Sequence, residues 1–326
     1  MVRGGESRCL LVAALLIGLA VPRLAQGDPA DGAGIRFGKD QVQQWRVGVI
    51  ITAVGGPCRG LRATVPVPTG WPEQQVRVVQ EDVGPPVQRV DYRMLDGGVQ
   101  QMLVLIPALN AGETARALVT FEVTRREILA PADPALFRLP ERAPRDVMKY
   151  LAASPYIEST HPQIRDLARE ILQEQPEAAG AWERVEAFYD YVREHVAYRN
   201  GTLKGALAAL RDGSGDCEEL TSLFIALCRA SKIPARTVWV PDHCYPEFYL
   251  QDAQGRGHWF PCQAAGTRAF GGIPELRPIL QKGDNFQVPE QRERQRYVAE
   301  FLKGTAFRGG GQPQVEFVRE LLPADP

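Results

Sequence analysis

The chain has 326 residues, with 38 Lys and Arg against 39 Asp and Glu. That balance, without a basic stripe, excludes a nucleic-acid partner on electrostatic grounds, and the length allows two domains with cores of their own. Plentiful Gly and Pro, 31 and 26, point to many turns and an all-β portion rather than to disorder.

Residues 1–27 read as an export signal. MVRGGESR is a basic start, CLLVAALLIGLAV an apolar run, and Ala25-Gln26-Gly27 fits the small residues of a cleavage site. Thirteen apolar residues are too few to span a bilayer. Cleavage after Gly27 is expected, leaving a secreted or periplasmic protein without stable membrane insertion.

Residues 28–130 carry short runs with partial period-2 alternation at 44–54, 76–80, 87–95, 99–106 and 115–123. GGPCRG, VPTGWPE, DVGPP, LDGG and NAGE separate them, and these are turn sequences. Such spacing predicts a β-sandwich. The Pro-rich stretch 131–146 reads as a linker. A second domain is expected over 147–290. Ile164, Leu167 and Ile171 form one apolar stripe, and Trp182, Val185, Tyr189, Val192 and Val196 form a second, both with helical spacing. A short helical piece at 206–210 leads on to GSGDCEELTSLFIALCRASKIPAR.

In that stretch Asp216 is a candidate N-cap, and Leu220, Leu223, Phe224 and Leu227 form an inward stripe. Cys217 therefore starts a helix, where free amides and the helix dipole stabilise a thiolate. Glu218 and Glu219 oppose that shift, so a basic partner is needed. His243 supplies one, after the strand-like TVWV. HCYPEFYL, a QDAQGRG turn and HWFPCQ then read as a hairpin. Pairing Leu250 with His258 brings Tyr245 opposite Gln263, with His243 at the same end. A helix-terminal cysteine, a strand histidine and a polar orienter match the logic of cysteine acyl transfer. Helices followed by antiparallel strands predict an α+β domain.

These residues resemble the transglutaminase-like superfamily, whose pattern is Gly-x-Cys at the start of the nucleophile helix and Arg-x-x-x-Ile-Pro-Ala-Arg at its end. HCYPEFYL resembles the His-x-Trp-x-Glu strand, HWFPCQ the Trp-x-Pro-x-Asp strand, and YDYVREHVAY the helix before them in secreted bacterial members. The resemblance covers roughly residues 140–270. It implies a papain-like core with Cys217 as nucleophile, His243 as general base and Gln263 at the triad's third position. Gln263 replaces the usual aspartate, and Tyr245 replaces a common tryptophan. Implied activities are hydrolysis of a peptide or amide through a thioester, cross-linking of protein glutamine to an amine, or binding without catalysis. The expected partner is a protein or peptide substrate. The Cys217 amide would serve the oxyanion, with Tyr198 as a second donor.

No cofactor is expected: Cys-x-x-Cys and paired-histidine spacings are missing, as is an EF-hand loop. Without Cys9, five cysteines remain. Cys228 reads as core, and Cys244 and Cys262 as packed thiols with a disulfide the alternative. His161, His195 and His258 read as structural. Residues 264–290 are expected to form a polar loop at the cleft, with Asp284 and Asn285 as candidate substrate contacts. The extension 291–326 is expected to add an edge strand to an unspecified sheet. Oligomeric state has no signal in the sequence.

Overall fold

A computed structural model describes residues 35–176, 179–306 and 311–323; the expected signal segment lies outside the described residues. The described residues fall in one unit. Among the described residues the first elements are six strands: β1 (Arg36–Thr52), β2 (Cys58–Val67), β3 (Gln74–Val83), β4 (Arg89–Met94), β5 (Gln100–Leu109) and β6 (Thr114–Leu129). They divide between two sheets whose inner faces meet. Val47, Val49 and Ile51 of β1 and Val119, Phe121 and Val123 of β6 pack with Leu61 and Val65 of β2 and Val104 and Ile106 of β5. Inward residues alternate with outward ones, as a strand with one buried face requires.

One of these strands, β2, is missing from the sequence expectation. Its Leu61, Ala63, Val65 and Val67 alternate inward, but Gly60 and Pro66 punctuate the run and disguise it. Strand β1 is also longer than expected, because its first half is polar and exposed.

Helices α1 (Pro162–Gln173) and α2 (Ala181–His195) follow, then β7 (Ala197–Tyr198), α3 (Ala206–Asp212), β8 (Ser214–Gly215) and α4 (Cys217–Ala230). Strands β9 (Ala235–Val240), β10 (His243–Gln251), β11 (Gly257–Pro261) and β12 (Gln281–Lys282) form an antiparallel sheet in the order β11-β10-β9-β12. Leu250 pairs with His258 in the expected register. The sequence suggests that α4 is amphipathic, yet every residue from Glu219 to Arg229 is buried. Helices α1, α2 and α3 pack around it while β9 and β10 cover another side. The architecture is α+β: a core of helices and an antiparallel sheet built around α4, joined to an N-terminal sheet region.

The stretch expected to be a linker contributes Phe137 to the core around α4, against Trp182 and Phe260. The extension supplies two strands instead of one. Strand β13 (Phe301–Ala306) pairs with β2, and β14 (Gln314–Leu321) pairs with β1, so each sheet of the sandwich gains an edge.

A polar seam joins the sandwich to the β11-β10-β9-β12 sheet. Arg125 of β6 is fully buried and donates to the Tyr245 hydroxyl at 3.2 Å. Lys282 lies 2.5 Å from Glu73 of the sandwich and 2.6 Å from Glu247 of β10. The side-chain amide of Gln74 bonds both ways to the Ile279 backbone. Buried ions survive only when paired and hydrogen-bonded, so the seam holds the two halves in one relative position.

Candidate active site

Local rules set the start of α4. Gly213 ends α3 with φ of 60°, in the left-handed region that favours glycine. At Gly215 a Cβ would lie 2.4 Å from the Glu219 side chain, so the helix entry needs a bare backbone there. Asp216 and Glu219 form a reciprocal capping box: Asp216 accepts from the Glu218 amide at 2.8 Å, and Glu219 accepts from the Asp216 amide at 3.1 Å. Cys217 is thereby fixed as the first helical residue, half-buried at the floor of a cleft.

His243 begins β10 directly after a tight turn in which Asp242 has φ of 56°. Arg277 holds that turn, donating to the Pro241 carbonyl at 2.9 Å while gripping Glu275 with its other nitrogens. His243 Nε2 lies 3.3 Å from Gln263 Oε1. The amide oxygen only accepts, so Nε2 carries the proton, which leaves Nδ1 for the Cys217 sulfur with which His243 shares a hydrogen bond. Gln263 is itself anchored to α2: its carbonyl accepts from the Tyr189 hydroxyl at 2.9 Å and from Arg193 at 3.0 Å.

The electrostatics separate the neighbouring groups. A hydrogen bond from the Cys244 thiol, followed by one from His243, brings Cys217 down to about 4 against the burial that opposes it. Burial works to lower His243, but its bonds to Cys217 and Gln263 win and raise it. Burial pushes Glu218 up to about 7, despite Arg296 alongside it. Between about pH 4 and the raised value of His243, these directions favour Cys217 as thiolate and His243 as imidazolium together.

The cleft over Cys217 has a volume of about 710 Å³. Tyr198 and Trp239 from the helix-and-sheet half line it together with Trp45, Arg319 and Leu321 from the sandwich and its added strand. These sandwich residues have no local signal, since only the fold brings them to the site. A sequence clue to Cys244 did exist: it adjoins His243.

Asp284 is not a substrate contact. It is 1% exposed and paired with buried Arg229 at 2.7 Å, and it also accepts from Ser154. Neither Asp284 nor Asn285 lines the cleft, and the stretch expected to be a polar loop buries Ile273, Ile279 and Leu280. The local pattern fails because Asp284 satisfies a charge inside α4. His161 caps α1 and His195 bonds the Tyr191 carbonyl. Cys244 and Cys262 are free buried thiols, and Cys228 lies in the core. Among the described residues no helix is long and apolar enough to cross a membrane, and no cluster of three or more His, Cys, Asp or Glu side chains could hold a metal ion.

Residues 165–264 match the family model of the transglutaminase-like superfamily, and the chain carries a domain of that superfamily. No curated protein matches the chain. Among solved structures it is similar to that of a "putative cysteine protease" from Cytophaga hutchinsonii. The identity is 18% and the TM-score 0.55, over 88% of this chain and 93% of the other. A second similarity is to a "putative protease" from Parabacteroides distasonis, at 14% identity and a TM-score of 0.28, over 68% of this chain and 43% of the other.

Proposed function

We propose that this chain is an exported cysteine hydrolase of peptide or amide bonds that works through a thioester on Cys217. The observation that carries the reading is that Cys217, at the start of α4, and His243, held 3.3 Å from Gln263, line one open cleft. The Cys217 sulfur attacks a carbonyl carbon, and the negative charge moves to the carbonyl oxygen. The Cys217 amide, free at the first helical position, donates to that oxygen, with the Tyr198 hydroxyl as a second donor. His243 gives its proton to the departing amine as the carbon–nitrogen bond breaks, leaving a thioester. It then takes a proton from water, whose oxygen attacks the thioester. Collapse releases the acid and restores the ionised pair. Gln263 accepts from Nε2–H throughout and keeps the ring in one tautomer.

The test is iodoacetamide labelling of the mature protein across pH, followed by screening of peptide and amide substrates. Fast labelling at Cys217 well below pH 8, slowed in His243→Ala, supports the reading. An ordinary or inaccessible thiol at position 217 points instead to a binding module. Release of the amine without uptake of a labelled amine distinguishes hydrolysis from cross-linking. Export is tested by the N-terminal sequence of the protein recovered from its native host.

A further inference from the structure

Gln263 lies two residues past the end of β11, with both backbone groups bonded outside the sheet. Its amide donates to the Ala269 carbonyl at 2.8 Å, closing the loop 263–269 on itself. Its carbonyl faces α2, where the Tyr189 hydroxyl donates at 2.9 Å and Arg193 at 3.0 Å. Arg193 then follows the loop, donating to the Ala264 carbonyl at 3.3 Å and the Gly266 carbonyl at 2.8 Å. At Gly266 the backbone turns with φ of 100°, a region that favours glycine. The Tyr189 hydroxyl accepts from the Ala269 amide at 3.0 Å, and Arg268 pairs with Glu186 and Asp190. Glu186, Tyr189, Asp190 and Arg193 stand at i, i+3, i+4 and i+7, so one face of α2 grips the whole loop.

We propose that Arg193 is a positioning residue of this site, which with Tyr189 sets the Gln263 backbone so that its side-chain oxygen meets His243 Nε2. This role rests on the hydrolase reading and deepens it. The sheet fixes His243 through β9, where it pairs with Val240. Gln263 is fixed from the other side, by a helix. The 3.3 Å between ring and amide oxygen is long for such a bond, so a small shift of the loop breaks it. A planar guanidinium suits the task, because its rigid fork holds three carbonyls in one arrangement. An ammonium on a flexible stem does not. The charged groups around the ring are Cys217 from α4, the adjoining Asp242, and Arg277 with its partner Glu275. Gln263 is the partner at Nε2, so its placement is read in the titration of His243.

A structural role and a positioning role are separable. The experiment is the imidazole titration of His243 by NMR on the full chain, its signals assigned with His243→Gln. It is run on wild type, Cys217→Ala, Gln263→Ala, Arg193→Ala, Arg193→Lys and Tyr189→Phe, and on the last three combined with Gln263→Ala. Thermal unfolding checks each variant, and Arg193→Lys and Tyr189→Phe carry the test if Arg193→Ala does not fold. The wild-type midpoint is expected above 6.5, and lower in Cys217→Ala, which removes the thiolate. Gln263→Ala should lower it by about one unit, the worth of a hydrogen bond to a charged group. Arg193→Ala should lower it by about half of that or more, and Arg193→Lys and Tyr189→Phe by less. None of the three should add to the shift of Gln263→Ala. Removing a cation alone raises the midpoint, so the expected sign is opposite to a charge effect. Variants that lower Tm yet leave the midpoint unmoved, raise it, or shift it equally with and without Gln263 overturn the positioning role alone. A wild-type midpoint that Cys217→Ala leaves unmoved removes the thiolate–imidazolium pair, and the hydrolase reading falls with it.

Discussion

The hairpin of β10 and β11 holds a histidine against a side-chain oxygen at each end. At one end His243 faces the neutral amide of Gln263 at 3.3 Å. At the other His258 lies 3.0 Å from Asp252, a buried carboxylate. By the charge of the partner alone, the second pair looks more like catalytic machinery. It has no nucleophile: Asp252 closes the β-turn, accepting from the Gln254 and Arg256 amides and from the Arg256 side chain. The first pair has the weaker orienter but sits beside the start of α4 and opens on the cleft. What separates a site from a structural brace is therefore the delivery of a reactive atom to the histidine.

The largest expected effect is at the cleft end. Cys217→Ala should abolish low-pH alkylation and all hydrolysis, read by labelling and by amine release. His243→Ala should leave some thiolate but cost about 10²–10⁴-fold in hydrolysis, the usual worth of general acid–base catalysis.

The next prediction concerns pH. Cys217 is lowered to about 4, so alkylation should make its main rise through that pH and change little above it. Hydrolysis also needs the His243 proton. His243 is raised above its usual 6.5, so hydrolysis should fall as pH climbs through that higher value, giving a bell where alkylation gives a step. Gln263→Asp should move the alkaline limb up by adding charge behind the ring, and Gln263→Ala should move it down. Unchanged limbs in both variants would remove Gln263 from the site.

At the far end the effect should be on stability alone. Asp252 is held down to about 2 by His258 and Arg256, against burial. Its contribution is therefore present above its unfolded value of about 3.9 and lost as pH falls through 2. Asp252→Asn should destabilise by about 1–3 kcal/mol, seen as a lower Tm above pH 4, with the Cys217 alkylation profile unchanged. A shifted profile would show that the two ends are coupled.

The smallest effect belongs to Glu218. Its carboxyl ionises near pH 7 beside the thiolate, so the alkylation profile should carry a shallow inflection there that Glu218→Gln removes.

The trio of Cys217, His243 and Gln263 was legible because each sits in a local pattern: a capped helix start, a strand after a turn, and the opposite position in a short hairpin. The register from Leu250 to His258 follows from the turn length and is observed. Asp284 misled because a polar residue among glycines reads as a loop, whereas its partner Arg229 is 55 residues away on a helix face that looked solvent-free only after folding. Trp45 and Arg319 could not be read at all. They reach the cleft through strands β1 and β14, which meet only in the folded chain. Local rules carry the chemistry, and long-range pairing carries the walls around it.

That pairing also orders the chain's assembly in time. Strands β1 and β2 wait for partners that lie more than two hundred residues downstream. Synthesis proceeds from the N-terminus, so the sandwich emerges with two unsatisfied edges while the half that holds Cys217 is still being made. Open edges of this kind recruit other strands, and contacts so distant in sequence form slowly. Truncation before β13 should therefore cost solubility even though the whole Cys217 site is still encoded. The last strands of the chain act as a seal on the first.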